Sequence, residues 1–378
     1  MKKISFIFGT RPELIKVAPL IKAFQKEADI FNLNLISTGQ HKELLNNLYK
    51  WFDFEANINL EIMQFNQSPS QVIANILQKL DLAIKDSDLI IVQGDTATAY
   101  SGAMAGFLHK IPIAHLEAGL RTDNIYNPFP EEMLRRQISQ ISTLNFPPTE
   151  RAKENLKREN IQENVFVVGN TVIDSLKDTI NKLEKLEEHN QLNEFINLPF
   201  ELSELNQNKK LVLITMHRRE SLGEEHKQVA KALKRVSEEH KDLLLIFPIH
   251  PNPAVRESIE PILKDCPNIK LIEPLDYITF CFVLKKAYIL ITDSGGLQEE
   301  GCSLGKPTLI LRKTTERPEA IEEGNAKLIG TNEENVYANF TALLKDINLY
   351  NQMSKPSNVF GTGNSAELII NKIKAFLY

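Results

Sequence analysis

The amino-acid sequence predicts an α/β protein with two doubly wound, Rossmann-like domains that face a central cleft. Short apolar runs alternate with longer amphipathic stretches along most of the chain, which is typical of parallel sheets covered by helices. The alternation stops once, in a charged segment near the middle, and then restarts. Because 378 residues exceed what one hydrophobic core normally holds, we assign the two stretches to separate domains.

The first domain, residues 1–170, contains apolar runs that we interpret as strands. Most of these runs are too continuous for a half-exposed strand, so we expect a sheet that is covered on both faces. Helical patterns such as Ile15–Glu27 and Ser70–Lys85 lie between them. The predicted strands are Ile4–Phe8, Leu33–Ser37, Leu89–Val92, Ile111–His115, Thr143–Phe146 and Val165–Val168.

The second domain, residues 209–363, follows a helical linker. Residues 171–208 are highly charged and interrupted by Pro199, so we interpret them as a linker plus a surface helix. An amphipathic helix, Ser365–Leu377, comes after the second domain. The predicted strands of this domain are Leu211–Thr215, Leu243–Phe247, Ile269–Ile272, Ile289–Thr292, Thr308–Leu311 and Lys327–Ile329.

Composition excludes several classes of protein. A net charge of −5 argues against nucleic acid or an anionic membrane as the main partner, and no apolar run approaches the roughly 20 residues that span a bilayer. The N-terminal apolar run stops after Phe8, so we interpret it as a strand and not as a signal peptide. The cysteines, at 266, 281 and 302, have no close pairing, which indicates neither a disulfide framework nor a zinc site and fits a reducing cytoplasm.

The stretch TDSGGLQEEG, Thr292–Gly301, predicts a strand, a turn of small residues and a helix N-terminus. Free backbone N–H groups and the positive end of a helix dipole would point at an anion in this turn. Glu299 and Glu300, further along the helix, could accept the hydroxyls of a ribose. A tight turn with an ordinary helix cap explains this stretch equally well when it is considered alone.

Ionisable side chains follow most of the other predicted strands. Ligands of open α/β sheets bind outside the carboxyl ends of the strands, so these side chains are expected to line a cleft. The segments are Gly9–Glu13 with Lys16, Thr38–His41, Gln93–Thr96, His115–Gly119, His217–Glu220, His250–Pro251 and Asp293–Ser294.

Each of these residues also has a structural interpretation. Asp95 alone is better explained as a helix N-cap, and His217 or His250 as core or cap histidines. Lys16 could be a solvated helix residue, and Arg317 could form a loop salt bridge. Recurrence at the same end of successive strands favours a functional role for the set.

Nucleotide-binding fingerprints of two common kinds are missing. No GxGxxG follows the first strand, so no dinucleotide cofactor is indicated, and the segment GCSLGKP that begins at Gly301 has the wrong spacing for a P-loop. The chain instead resembles the non-hydrolysing UDP-N-acetylglucosamine 2-epimerases from residue 9 to about residue 363. The resemblance rests on the segments FGTRPELIK, TGQH, VQGDTATAYSGAMA, HLEAGLRT, PFPEE, GNTVIDSL, TMHRRE, IHPNP, TDSGGLQEE and TERPEA.

The resemblance implies a GT-B fold, with a C-terminal helix (residues 364–378) that returns to the first domain. It also implies interconversion of UDP-GlcNAc and UDP-ManNAc without a cofactor or a metal, in a cytoplasmic homodimer. The implied catalytic residues are Asp95, Glu117, Glu131 and His217. The implied substrate-binding residues are Arg11, Lys16, Phe280, Ser294, Gly295, Gly296, Glu300 and Arg317.

Two positions depart from the family pattern near the expected site. Leu134 follows Met133 where relatives usually have asparagine, and Ser221 stands where relatives usually have asparagine after HRRE. A GT-B glycosyltransferase that uses a UDP-sugar is the alternative enzyme, although it does not explain three carboxylates at the sugar. A UDP-sugar sensor is the alternative outside catalysis, and it would need none of those carboxylates.

Relatives that are activated by a second UDP-GlcNAc often carry Gln-His-x-Gln and a later arginine. This chain keeps Gln40 and His41 as possible regulatory residues, but Glu43 replaces the neutral amide. Asn66 and Gln67 lie near the later position, without an arginine. An added carboxylate and a lost cation disfavour an anionic ligand, so we expect weak activation or none.

Overall fold

The computed structural model describes residues 1–40, 42–63, 67–205, 209–217 and 223–378, with the side chains of residues 42–44 and 202–203 excepted. The chain divides into two compact units. The first unit is Met1–Ser175 together with Phe360–Tyr378, and the second is Leu176–Val359. Within the described part of the chain, no helix is both long and apolar enough to cross a membrane.

The first unit contains a six-stranded parallel sheet in the order β3-β2-β1-β4-β5-β6. This order reverses between β1 and β4, which is where doubly wound sheets bind their ligands. Its strands are β1 (Lys2–Phe8), β2 (Phe31–Ser37), β3 (Ile58–Asn59), β4 (Leu89–Gln93), β5 (Ile113–Leu116) and β6 (Leu144–Phe146).

The second unit repeats this topology. Its parallel sheet has the order β12-β11-β10-β7-β8-β9, so the strand order reverses between β7 and β10. The two sheets confirm the predicted class of two doubly wound α/β units. The strands are β7 (Lys210–Thr215), β8 (Leu243–Pro248), β9 (Ile269–Ile272), β10 (Ile289–Thr292), β11 (Thr308–Ile310) and β12 (Ala326–Leu328).

Helices connect and cover the strands of each sheet. Those in the first half are α1 (Arg11–Gln25), α2 (Lys42–Phe52), α3 (Pro69–Ala83), α4 (Ala97–Leu108), α5 (Glu131–Ile141), α6 (Glu150–Arg158) and α7 (Thr171–Glu188). Short 3-10 helices follow at Leu192–Glu194 and Leu202–Leu205. The later helices are α8 (Glu224–Glu239), α9 (Pro253–Leu263), α10 (Tyr277–Lys286), α11 (Gly295–Ser303), α12 (Glu319–Glu322), α13 (Glu333–Lys345), α14 (Ile347–Met353) and α15 (Ser365–Leu377).

The end of β1 shows how closely the strand ends pack. Gly9 follows this strand, and a Cβ atom there would lie 2.0 Å from Thr38 Oγ1 and 2.6 Å from Thr98 Oγ1. Thr10 then caps α1 through a reciprocal capping box with Glu13, so the chain turns directly from the sheet into the helix. The loop after β1 is therefore fixed against the loops after the neighbouring strands.

One predicted strand is wrong, and one strand was missed. Residues 165–168 form only an isolated bridge, between Val165 and Asn145. The prolines at 147 and 148 after β6 have no N–H to donate, so a ladder cannot continue beside them. β3 is two residues long and gives no recognisable apolar run.

Candidate active site

Glu13 anchors the loop after β1. Its carboxylate is buried and accepts hydrogen bonds from the N–H of Gly9 (3.1 Å), from the N–H of Thr10 (2.7 Å) and from the hydroxyl of Thr96 (2.6 Å). Burial raises the pKa of Glu13, although these hydrogen bonds oppose the shift. One carboxylate thus joins the loop after β1 to the loop after β4.

Hydrogen-bond donors surround the side chain of Glu117, which follows β5. Lys16 Nζ is 2.6 Å from Glu117 Oε2, Gln93 Nε2 donates to the same oxygen, and Asn170 Nδ2 donates to Oε1 at 3.0 Å. The side chain of Glu117 is only 7% exposed. Its backbone has a φ of 63°, a left-handed conformation that is uncommon outside glycine and recurs at functional sites. The ammonium and amide donors therefore fix both carboxylate oxygens in place.

Asp95 lies after β4 and is held by Arg135 of α5. Arg135 Nε donates to Asp95 Oδ2 at 2.9 Å, and Nη2 donates to the same oxygen. The cap interpretation of Asp95 is wrong, because Thr96 is the N-cap of α4 and accepts from the N–H of Ala99. The Asp95 carboxylate therefore binds the Arg135 guanidinium and does not cap α4.

Glu132, and not Glu131, is the residue that organises the start of α5. Glu132 is fully buried and accepts from Arg135 Nη1 (3.3 Å), from Arg136 Nε (3.0 Å) and from the N–H of Thr122 (3.1 Å). Glu131 is half-buried, and its side chain has no hydrogen bond or ion pair with another described residue. Glu132 fixes the cation that holds Asp95, whereas Glu131 remains available for other contacts.

His115 lies beneath these loops as a neutral imidazole. It is fully buried, and burial lowers its pKa to about 4. Its Nε2 atom is 2.8 Å from the carbonyl oxygen of Gly94, so the neutral ring donates its proton there. This bond fixes the turn between Gln93 and Asp95.

In the second unit, hydrogen bonds with neighbouring side chains fix the backbone of the turn after β10. Ser294 is the N-cap of α11, but its side chain caps no N–H in the described structure. Thr292 Oγ1 accepts from the N–H of Ser294 at 2.9 Å, and Gln298 Nε2 donates to the carbonyl of Ser294 at 3.1 Å. The first N–H groups of α11 are therefore left to an external acceptor.

Arg317 places its guanidinium over this helix N-terminus. A Cβ atom at Gly295 would lie 2.6 Å from Arg317 Nη1. Glu299, which is buried within α11, accepts from Arg317 Nε at 2.7 Å. Glu300, the next residue of α11, is also buried, and its ribose contact stays a prediction.

Glu316 reinforces the same loop. Its carboxylate accepts from Arg312 Nη1 at 2.7 Å and Nη2 at 3.2 Å, and it lies 3.7 Å from Arg317 Nη1. Burial opposes ionisation, but the hydrogen bonds from Arg312 and the charges of Arg317 and Arg312 outweigh it and lower the pKa of Glu316 to about 2.

His217 follows β7 and is oriented by Asp293. Asp293 is fully buried, accepts from the backbone N–H of His217 at 2.8 Å and lies 2.9 Å from His217 Nδ1. The His217 side chain is 48% exposed. His250 is exposed and accepts from the N–H of Asn252 at 3.2 Å, so it is neither a core histidine nor the cap of α9, which is Asn252.

The remaining predicted residues are spread over both units. Arg11 is the first residue of α1, and Phe280 is half-buried in α10. Gln40 Oε1 accepts from Thr98 Oγ1 at 3.4 Å. His41 lies outside the described residues. Across the described ranges, no group of histidine, cysteine or acidic side chains is arranged to hold a metal, and the three cysteines are free and buried.

A protein-family model described as UDP-N-acetylglucosamine 2-epimerase matches residues 22–374. The chain belongs to this family. A UDP-N-acetylglucosamine 2-epimerase of Yersinia pestis is 40% identical to it over 378 residues, and the match covers 98% of each chain. The crystal structure of the Neisseria meningitidis UDP-GlcNAc 2-epimerase bound to UDP-GlcNAc has a TM-score of 0.91 at 39% identity, and the match covers 99% of this chain and 100% of the other. A Staphylococcus aureus structure, MnaA with UDP, has a TM-score of 0.88 at 40% identity, covering 100% and 97%.

Within this epimerase-family chain, several positions of the network had no predicted role. They are Glu132, Arg135 and Asn170. Glu132 had a readable signal, since arginines three and four residues later lie on the same helix face. Asn170 had none, because its partner Glu117 is distant in sequence.

Proposed function

We propose that this chain interconverts UDP-GlcNAc and UDP-ManNAc by inverting C-2 of the sugar. The observation that carries the proposal is a pair of carboxylates, Glu117 and Asp95, which follow adjacent strands and are each held by a cation. Family membership supports the same reaction, and the Neisseria relative bound to UDP-GlcNAc supports the same substrate.

The chemistry follows from the substrate. The C-2 proton is not adjacent to a ketone, so simple deprotonation is hard. We therefore propose an elimination in which a base takes this proton, a C1–C2 double bond forms, and the C1–O electrons leave with UDP. The product held in the site is 2-acetamidoglucal. Re-addition of UDP with proton delivery to the other face completes the epimerisation.

Carboxylates carry the proton transfers in this proposal. Asp95, Glu117 and Glu131 take the C-2 proton and return it, as positioned acids and bases do. Lys16 pairs with Glu117 and Arg135 pairs with Asp95, and each cation fixes the position of its carboxylate. Substituting each carboxylate separately would show which one removes the C-2 proton and which one returns it.

The second unit supplies contacts to the nucleotide. The N–H groups at Ser294, Gly295 and Gly296, the Arg317 guanidinium and His217 stabilise the negative charge of departing UDP. Glu300 accepts ribose hydroxyls and Phe280 packs against uracil. In the first unit, Arg11 and Lys16 contact the nucleotide-sugar.

The deciding experiment is an NMR time course with UDP-GlcNAc in deuterated water, without added cofactor or metal. A mixture of UDP-GlcNAc and UDP-ManNAc should form, and C-2 of both sugars should gain deuterium. Epimerisation with the original hydrogen retained would exclude elimination and re-addition. No epimerisation at all would overturn the proposed function.

We further propose a cytoplasmic homodimer. The free, buried cysteines fit a reducing compartment, and the dimer rests on analogy with the family. Light scattering during size-exclusion chromatography should give twice the mass of 43.0 kDa for one chain. A single-chain mass at micromolar concentration would contradict the dimer.

A further inference from the structure

Asn170 connects a predicted catalytic carboxylate to a helix cap. The side chain is 2% exposed, and its two polar ends have different partners. Nδ2 donates to Glu117 Oε1 at 3.0 Å, and Oδ1 accepts from the N–H of Val172 at 3.2 Å, in the first turn of α7. Asn170 has therefore one bond that serves the helix and one that serves Glu117.

The backbone at this position is held by a segment that is distant in sequence. The N–H of Asn170 donates to the carbonyl of Phe360 at 2.7 Å. Gly169 and Gly361 both have positive φ, and a Cβ atom at Gly169 would lie 2.7 Å from Gly361 Cα. These contacts leave the Asn170 amide little freedom to move away from Glu117.

We propose that Asn170 is a positioning residue for the epimerisation, which rests on the function proposed above. Lys16 and Gln93 both donate to Oε2 of Glu117, whereas the Asn170 amide donates to Oε1. A carboxylate bonded through both oxygens has a fixed plane and direction. Its ionised form is also favoured by one more donor.

Asn170→Asp separates this role from a purely structural one. Aspartate keeps an acceptor for the N–H of Val172, and helix N-caps accept aspartate as readily as asparagine. It removes the donor, however, and places a like charge beside Glu117. Turnover should fall about 10- to 100-fold, the scale of losing a hydrogen bond to a charged group. The acid limb of the kcat/KM profile should move to higher pH, because protonation of Glu117 becomes easier.

Two companions complete the test. Asn170→Ser is uncharged and keeps a hydroxyl for the cap, but it is too short to reach Glu117, so it should show a smaller loss of kcat with an unchanged UDP affinity. Asn332→Asp is the control, because Asn332 also caps a helix, α13, through its side-chain oxygen, accepting from the N–H of Asn335, and lies in the other unit. Its activity should equal that of the wild type.

The outcomes distinguish the two proposals. Wild-type protein without epimerase activity would overturn the proposed function itself. An active wild type, with kcat and pH profile unchanged in folded Asn170→Asp and Asn170→Ser, would overturn the positioning role alone. Folding is checked by thermal unfolding and by UDP affinity, so a misfolded aspartate variant leaves the serine variant to decide.

Discussion

The first unit places carboxylates at its strand ends, whereas the second places a helix N-terminus and a guanidinium there. In the first unit, Glu117 and Asp95 are held by side chains from other parts of the chain. In the second, the open N–H groups of α11 come from consecutive residues, and Arg317 is fixed by Glu299 of the same helix. These arrangements support the proposed division, with proton transfer in the first unit and diphosphate binding in the second.

This difference predicts separable effects on catalysis and binding. Substitutions among the carboxylates of the first unit should lower turnover and leave UDP affinity nearly unchanged. Substitutions at the N-terminus of α11 should lower UDP affinity.

The largest effect is expected for the carboxylates. Asp95→Asn, Glu117→Gln and Glu131→Gln should each lower kcat by about 100-fold or more, the usual scale for losing acid–base assistance. UDP affinity, measured by calorimetry, should change less than about 3-fold, since these groups act on the sugar. Near-normal turnover in all three variants would favour a sensor over an enzyme.

Gly295→Val should weaken UDP binding by about 100-fold, which corresponds to about 3 kcal/mol. The new side chain would meet the Arg317 guanidinium and fill the space in front of the α11 N–H groups. Gly296→Ala is the comparison, because a Cβ atom there has no neighbour within 4 Å, so a smaller loss is expected. Normal UDP affinity in folded Gly295→Val would show that this turn binds no phosphate.

Asp293→Asn should lower kcat/KM by about 10-fold, the scale of one hydrogen bond to a charged group. The amide can still accept from the N–H of His217, but it lacks the charge that orients the His217 ring. His217→Ala in the same background should cause little additional loss if Asp293 acts through His217. Fully additive losses in this double-mutant cycle would separate the two residues.

The two units should also differ in how acid affects their stability. The pKa of Glu316 is lowered to about 2, so its stabilising contribution is present above the unfolded value of about 4.5 and is lost as pH falls towards 2. Glu316→Gln should cost up to about 3 kcal/mol at pH 7, at 1.36 kcal/mol per pKa unit, and nothing near pH 2.

The pKa of Glu13 is raised, so the pH dependence of its contribution to stability has the opposite sign. Its ionisation favours the unfolded chain as pH rises above the unfolded value of about 4.5. Glu13→Gln should therefore reduce the decline in stability above this pH. Urea unfolding of both variants between pH 3 and pH 8 measures the two slopes. Parallel slopes would show that the two carboxyl groups do not differ in this way.

The smallest effect concerns activation by the substrate. Pure UDP-ManNAc should react without a lag, and a trace of UDP-GlcNAc should change the initial rate by less than about 2-fold, because Glu43 replaces a neutral amide and no arginine lies near Gln67. Coupled assays with and without the added UDP-GlcNAc measure the lag and the initial rate. A lag that ends when UDP-GlcNAc is added would show a functional regulatory site.

The sequence predicts the fold well because its signals are local. β10 and the start of α11 are readable from TDSGG, since a buried run, small residues and a helix cap follow one another directly. The partners of Glu117 are not readable, because Lys16, Gln93 and Asn170 meet only after three separate loops have folded. Asp95 shows the same limit: its sequence neighbour Thr96 is the true cap, and its partner Arg135 is 40 residues away.

The C-terminal segment Phe360–Tyr378 belongs to the first unit but is synthesised after the second. Phe360 and Gly361 hold Asn170, Ala366 donates its N–H to Asp174 at 2.9 Å, and Lys374 pairs with Glu27 at 2.6 Å. A ribosome makes all of these later residues after the entire second unit. The first unit therefore emerges early but stays incomplete, without α15, until synthesis has passed residue 374. During that interval the face of α1 that α15 covers is exposed, so chaperone capture of nascent chains should end when α15 emerges.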